Sequence, residues 1–290
     1  MTKALLLFSK GLDSILVKRI LEKQNIEVDA INFGSCFFNG ETDITEDHLE
    51  IVKNPKYRRG VGMNPCRDCH LLMLKKAGEV MREKGYDFIA TGEVVNQRPF
   101  SQSKQQLLFL EKKANLEGLI LRPLSAKLLP ETIPEKKGLI DRNKLYDISG
   151  KNRSKQLELA KEFNIKDFPM PAGGCILTDK EYSKKLKKLF EINPNFDRND
   201  ARALTKGRVF FEDKIMFVIT RNEKEGTEIK EFFKKGDIYL EPQNFPGPSV
   251  LIRSFTEDKD FDIITQKGKE YLIKYSKKVP KDFGININKI

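Results

Sequence analysis

Residues 3–21 read KALLLFSKGLDSILVKRIL. Lys3 to Phe8 is a short apolar run, Ser9-Lys10-Gly11 is a polar turn, and Leu12, Ile15, Leu16, Ile20 and Leu21 then recur at helical spacing. The order is strand, loop, helix. Further along, Ile26 to Phe33 reads as a second strand. Tyr86 to Ala90 reads as another, reached through a helix that carries Leu71, Leu72, Leu74, Ala77, Val80 and Met81. Strands alternating with helices predict an α/β parallel sheet with helices on both faces. Ligands of such sheets bind beyond the carboxyl ends of the strands, so chemistry is expected just after Phe8, Phe33 and Ala90.

Prolines and lysines punctuate the chain from Pro123 to Pro134, and a helix is predicted from Ser154 to Phe163, ahead of the loop Pro169-Met170-Pro171-Ala172-Gly173-Gly174-Cys175. Asp179 to Lys206 is charged and helical in pattern. Arg208 to Phe211, Ile215 to Thr220, Ile238 to Leu240 and Val250 to Arg253 then read as short strands between Gly, Asp and Pro turns. A last helix is expected between Asp258 and Lys277. These changes of texture divide the chain into residues 1–178, a helical connector at 179–206, and a smaller α+β domain at 207–290.

With 290 residues, 39% of them hydrophobic, the chain can bury a substantial core. Its purely apolar runs reach only about five residues, against the roughly 20 that a membrane helix needs. Ser9, Lys10, Gly11 and Asp13 also interrupt the N-terminal apolar run before a signal peptide could form, so a cytoplasmic protein with no membrane partner is expected. Fifty-three basic against 42 acidic side chains leave a net charge of +11. That excess suits a polyanion such as nucleic acid, or equally reflects a lysine-rich composition. The four cysteines are too few for a disulfide scaffold, and Cys66-x-x-Cys69 reads as metal binding or redox chemistry.

Ser9, Lys10, Gly11, Leu12, Asp13 and Ser14 join the first strand to the first helix, where exposed backbone N–H groups and the positive helix end favour a phosphate. Ser9 and Ser14 add hydroxyl donors and Gly11 permits close approach. Asp13 either caps the helix or helps to hold Mg²⁺. The alternative is an ordinary capped helix. Cys66 and Cys69 begin another helix and share a face, and the helix start is expected to lower their thiol pKa. Cys175 supplies a distant third sulfur. Three thiolates without a clear fourth ligand suit a [4Fe-4S] cluster with one open iron better than a closed zinc site. Zinc completed by His48 or His70 is a further option, although His70 would project about 100° round the helix from Cys69. Cys36 reads as a partly buried structural thiol. The three cations of the segment from Ile148 to Gln156, Lys151, Arg153 and Lys155, lie beside a predicted helix start and fit RNA phosphates or a solvated helix end equally well.

The segment from Ser9 to Ser14 resembles the S-G-G-x-D-S pyrophosphate loop of the adenine-nucleotide α-hydrolase-like (PP-loop) enzymes, which have a Rossmann-like fold and split ATP to AMP and pyrophosphate while adenylating a substrate. Lys10 stands where that family has its first Gly. Ala90-Thr91-Gly92-Glu93 resembles the A-T-G-H segment of the tRNA thiouridine synthetases, with Glu93 in place of His. The resemblance implies that Thr91 and Gly92 pass close to the nucleotide and that Phe33 and Gly34 hold adenine, with core packing the other reading of Phe33. Cys-x-x-Cys with one remote Cys is similar to the cluster-dependent tRNA thiolation enzymes, which implies cluster ligation by Cys66, Cys69 and Cys175. Phe245 to Arg253 resembles the P-G-x-H-V-x-I/L-R stretch of the NFACT-type RNA-binding module, with Ser249 in place of His.

Taken together, these resemblances imply an ATP-dependent tRNA sulfurtransferase with ATP, Mg²⁺ and a [4Fe-4S] cluster as cofactors. Its partners would be tRNA and a sulfur donor, either sulfide or a protein carrier, and a homodimer is an expected assembly. Asp13, Cys66, Cys69 and Cys175 would be the catalytic residues. The alternatives are a persulfide-type 2-thiouridylase without cluster, a PP-loop ligase or sulfur-insertion enzyme acting on a small molecule, and a non-catalytic RNA-binding protein.

Overall fold

In a computed structural model that describes residues 1–98, 101–170, 174–257 and 260–290, the chain divides into two units, Met1–Cys175 and Ile176–Ile290. The first unit begins with β1 (Lys3–Leu7), α1 (Leu12–Glu22), β2 (Glu27–Ile31) and the short parallel pair β3 (Phe33–Gly34) and β4 (Thr42–Asp43). It continues through α2 (Thr45–Lys53), α3 (Cys66–Lys84), β5 (Phe88–Thr91), α4 (Lys104–Ala114), β6 (Ile120–Leu121), α5 (Ile133–Lys136) and α6 (Ser154–Glu162).

The strands form one parallel sheet in the order β2-β1-β5-β6. Successive residues of a strand point to opposite faces, and this sorts β1 into two cores. Ala4 and Leu6 join Leu12, Leu16, Leu159 and Ala160 from α1 and α6. Leu5 joins Leu74, Ala77 and Leu110 from α3 and α4. The expected sheet with helices on both faces is present. The chain order reverses beside β1, whose neighbours are β2 and β5, and the crevice at such a reversal is where α/β sheets take ligands. The turn after β1 and the loop after β5 both open there.

The second unit contains α7 (Lys180–Ile192), α8 (Arg198–Ala203), β7 (Arg208–Glu212), β8 (Ile215–Ile219), α9 (Glu223–Ile229), β9 (Ile238–Pro242), β10 (Val250–Ser254), α10 (Phe261–Tyr275) and β11 (Ile285–Lys289). Its sheet is antiparallel, in the order β11-β9-β10-β8-β7. Ile264 and Leu272 of α10 pack with Phe217, Ile219, Ile238, Leu240, Val250 and Ile252 of the sheet. Residues 179–206, expected as a connector, belong to this unit. Asp200 of α8 is fully buried and bonded to Arg253 at 2.8 Å. Among the described residues no helix is long and apolar enough to cross a membrane.

Candidate functional site

Ser9 to Ser14 links β1 to α1 with a geometry that its sequence only half suggests. Lys10, standing where the resembled loop has glycine, adopts the left-handed conformation (φ 61°) that glycine takes most readily. Its ammonium is exposed and pairs with Glu41 at 2.7 Å. Gly11 is the N-cap of α1 and provides no side-chain cap, so α1 presents its first N–H groups uncapped by a side chain. The Ser14 hydroxyl donates to the Gly11 carbonyl at 2.8 Å and lies 3.5 Å from Ser9 Oγ. Leu12 turns inward as core.

Asp13 accepts from Gln97 at 3.3 Å and faces Arg153 at 3.6 Å, both through Oδ2. Its Oδ1 is buried without a hydrogen-bond partner, as is Nε of Arg153. Unsatisfied buried polar atoms at the mouth of an anion-favouring turn fit a bound phosphate and its Mg²⁺. Arg153 came to notice in the sequence as a cation for RNA. The structure places it beside Asp13, because Gly150 N donates to the Val95 carbonyl and lays this segment along the extension of β5.

The loop after β5 packs against the same turn. A Cβ added at Gly92 would lie 2.9 Å from the Ser14 nitrogen and 3.0 Å from the Asp13 carbonyl carbon, so only glycine fits. Thr91 is buried and donates to Glu93 Oε2 at 3.2 Å. Glu93 also accepts from Arg122 Nε at 2.9 Å and is joined to His70 Nδ1 at 3.0 Å. Arg122, 1% exposed, bonds Glu111 as well. Burial opposes ionisation of Glu93, but the Arg122 charge and the His70 hydrogen bond outweigh it and hold the carboxyl down at about 2. At Glu111 burial wins, and its carboxyl is raised despite Arg122. Arg122 lies outside every motif that the sequence displays. The available signal was a lone arginine ending the apolar run Leu119-Ile120-Leu121, where a strand meets the ligand side of the sheet.

His70 adjoins Cys69 in the first turns of α3. Cys66 and Cys69 are half-buried on this helix, whose N-cap, Pro65, makes no side-chain cap hydrogen bond. Asn64 Nδ2 donates to Cys66 Sγ at 3.1 Å. Asp68 accepts from the Lys56 and Tyr57 nitrogens, both at 3.0 Å, and ties the preceding loop to the helix. Cys175 lies close enough to act electrostatically on Cys69. The Cys69 thiol is pushed well above its ordinary range, first by desolvation and then by the charges of Cys175, Cys66 and Asp68. This corrects the expectation that the helix start lowers it. A helix end contributes on the order of 1 kcal/mol, whereas taking an ion out of water costs several.

Binding of a thiophilic cation would require these thiols to give up their protons, and the cation's charge would offset the desolvation that now holds Cys69 protonated. Among the described residues, no three His, Cys, Asp or Glu side chains are grouped as the ligands of one metal ion would be. Cysteine sulfur is the donor chemistry of iron–sulfur clusters and of zinc alike. Pro171, Ala172 and Gly173, in the loop before Cys175, lie outside the described residues, as do Asp258 and Lys259 near the last helix.

Phe33 is buried in the core under α3 and α4, and the adjoining Gly34 packs against the Gly40 backbone. Cys36 is half-buried, and its nitrogen donates to Thr45 Oγ1 at 3.0 Å. His48 is fully buried. Its Nδ1 shares a 2.9 Å hydrogen bond with Ser35 Oγ, and its ring sits 5.3 Å from each of Phe37 and Phe38. It belongs to that aromatic packing rather than to the sulfur site.

Burial lowers the His48 pKa from 6.5 to about 4. The unfolded chain therefore binds this proton first, and stability falls as pH drops from 6.5 towards 4, by about 3 kcal/mol from this residue. Urea denaturation at pH 7 and pH 4 should show that loss, and His48→Leu should remove its share of the slope.

No protein-family model matches the chain, and no curated protein matches it. Among solved structures, the chain is similar to a predicted subunit of tRNA methyltransferase from Methanocaldococcus jannaschii at 18% identity. The match covers 56% of this chain and 88% of that one, with a TM-score of 0.29. A superposition that loose bears on neither fold nor activity.

Proposed function

We propose that the chain is an ATP-dependent tRNA sulfurtransferase, in which the turn from Ser9 to Ser14 binds ATP and Cys66, Cys69 and Cys175 handle sulfur. The observation that carries this reading is the turn itself: α1 begins without a side-chain cap, Gly92 packs on its backbone, and Asp13 Oδ1 and Arg153 Nε are buried beside it without hydrogen-bond partners. The cysteines lie in the same unit as this turn. Gly92, Glu93, His70 and Cys69 form a continuous path of neighbours between the two places.

In this reading the uridine carbonyl oxygen attacks the α-phosphorus of ATP. The bond to pyrophosphate breaks, leaving the base O-adenylated. The uncapped N–H groups of α1 and the Arg153 guanidinium face the charge that builds on the phosphates, and Asp13 Oδ1 is free to hold Mg²⁺. A sulfur nucleophile then attacks the activated carbon and AMP leaves. A [4Fe-4S] cluster, held by Cys66, Cys69 and Cys175, would supply an open iron to carry sulfide. Arg122 and Glu93 fix His70 and the Gly92 loop, so the nucleotide end and the sulfur end keep their spacing. A target base in a structured tRNA has to leave its stack to reach such a crevice.

The test is nucleoside mass spectrometry of tRNA incubated with the cluster-reconstituted chain, ATP, Mg²⁺ and sulfide. One nucleoside should exchange oxygen for sulfur in step with AMP and pyrophosphate release. If no nucleoside gains sulfur while AMP forms on a small acceptor, the small-molecule alternative takes its place. If no AMP forms at all, the enzyme reading fails.

A further inference from the structure

The stretch that suggested RNA binding in the second unit contributes little open charge. Arg253, its terminal cation, is 2% exposed, donates to Asp237 at 2.6 and 2.9 Å and to Asp200 at 2.8 Å, and is also bonded to the Phe232 carbonyl. It holds β10 to α8 and the turn before β9. A grip on RNA by this unit has to come from another surface.

Such a surface lies where the edge strand β7 meets α10. Arg208, Phe210 and Glu212 alternate onto the face of β7 that α10 covers, and they meet Tyr275, Tyr271 and Lys267, one helical turn apart, in antiparallel order. The Phe210 ring stacks on Tyr271 at 4.9 Å, with an interplanar angle of 15°, and on Tyr275 at 6.0 Å and 22°. The Arg208 guanidinium lies 4.9 Å over Tyr275. A column of planar groups thus runs from the core to an exposed, planar cation.

Charge is distributed unevenly along this column. At one end Glu212 is engaged by the Tyr271 hydroxyl at 2.6 Å and by Lys267 at 3.4 Å. At the other end Arg208, Lys274, Lys277 and Lys278 are exposed and, among the described residues, form no ion pair. Lys274 Nζ stands 5.8 Å over the Tyr275 ring. Aromatic planes interleaved with unpaired cations are the chemistry that single-stranded nucleic acid uses, with bases stacking on the planes and phosphates meeting the cations.

We propose that the Arg208–Tyr275 end of this column is a docking point for an unpaired segment of RNA, with a base stacked on the Arg208 guanidinium and its flanking phosphates near Lys274, Lys277 and Lys278. The proposal rests on the reading of the chain as an RNA-modifying protein and adds the surface by which the second unit holds its substrate. A base stacked on a protein plane contributes on the order of 10-fold in affinity.

The test is fluorescence-anisotropy titration of the full chain with labelled bulk tRNA, an unpaired oligouridine and heparin, without ATP. Arg208→Ala should weaken tRNA and oligouridine binding on the order of 10-fold and reduce the salt slope by about 1. Arg208→Lys, which keeps the charge and removes the plane, should lose most of that affinity for RNA while binding heparin as the wild type does. Arg208→Ala also gives up the contact with Tyr275 and should lower the thermal midpoint by no more than about 5 °C, leaving the chain folded at the temperature of the titration, and Lys188→Gln on α7 should bind as the wild type does. Wild-type RNA affinity in Arg208→Ala overturns the proposal and leaves the sulfurtransferase reading standing. Equal losses on RNA and heparin in Arg208→Lys overturn the stacking contact. A wild-type chain that binds no RNA at low salt, or that binds heparin but neither RNA, removes the RNA reading itself.

Discussion

Arg122→Met is expected to cost the first unit about 3–5 kcal/mol. The guanidinium is 1% exposed and is shared between Glu93 and Glu111, so its loss leaves two buried carboxylates facing each other without a cation. Glu111 already sits above its ordinary range because of burial, and Glu93 is held low chiefly by Arg122 and His70 against that same burial. Without Arg122 both should take up protons, and the variant should be less unstable at pH 5 than at pH 8. In a unit of this size the loss corresponds to a fall in melting temperature on the order of 10 °C. Adding Glu93→Gln and Glu111→Gln to Arg122→Met should recover part of it, because no buried ion then remains unpaired. A single variant that melts within a degree or two of the wild type would remove the ion network from the account of how the Gly92 loop is held.

Gly92→Ala is expected to damage nucleotide use far more than stability. The added methyl would meet the Ser14 nitrogen at 2.9 Å, the Asp13 carbonyl carbon at 3.0 Å and Ser14 Cα at 3.2 Å, all of them backbone atoms of the first turn of α1. Backbone there cannot swing aside as a side-chain tip does. The turn must shift by some tenths of an ångström, or the Gly92 loop must withdraw and take Glu93 and His70 with it. Overpacking of this kind costs about 1–3 kcal/mol in stability. Misplacement of a phosphate-binding turn by a fraction of an ångström to 1 Å costs on the order of 100-fold in rate. ATP–pyrophosphate exchange in the presence of tRNA should fall by about that factor while the chain stays folded by circular dichroism. Exchange at the wild-type rate would mean that α1 does not carry the nucleotide.

The parts of the fold that the sequence made legible are those whose periodicity is long enough to see. The apolar run from Lys3 to Phe8, the helical spacing from Leu12 to Leu21, and the four short strands from Arg208 to Arg253 all correspond to observed elements. β6 has only two residues, Ile120 and Leu121, too few to display a period, although it completes the sheet that Arg122 ends. In β11, Ile285 and Ile287 alternate with Asn286 and Asn288, a pattern masked by its polarity and by its position after the last helix.

In the candidate site, motif residues could be read but their partners could not. Nothing local in the sequence joins Glu93 to His70, 23 positions away, or Asp13 to Arg153; those pairs exist only once the sheet has aligned its carboxyl ends. The position of Cys69 on α3 was legible, but the state of its thiol was not. A helix end is visible in sequence, whereas the desolvation that outweighs it comes from the packing around the thiol. Lys10 shows the reverse case, since its side chain departs from the resembled loop while its backbone adopts the left-handed conformation that glycine takes most readily.

The claim on which the rest depends is that Cys66, Cys69 and Cys175 form one sulfur site served by the nucleotide turn. Its most direct measurement is a paired assay of Cys66→Ala, Cys69→Ala and Cys175→Ala, recording tRNA-dependent ATP–pyrophosphate exchange and thiolated nucleosides in the same reaction. The account predicts that all three variants keep the exchange and yield no thiolated nucleoside. Cys175→Ala that thiolates tRNA at the wild-type rate would contradict it.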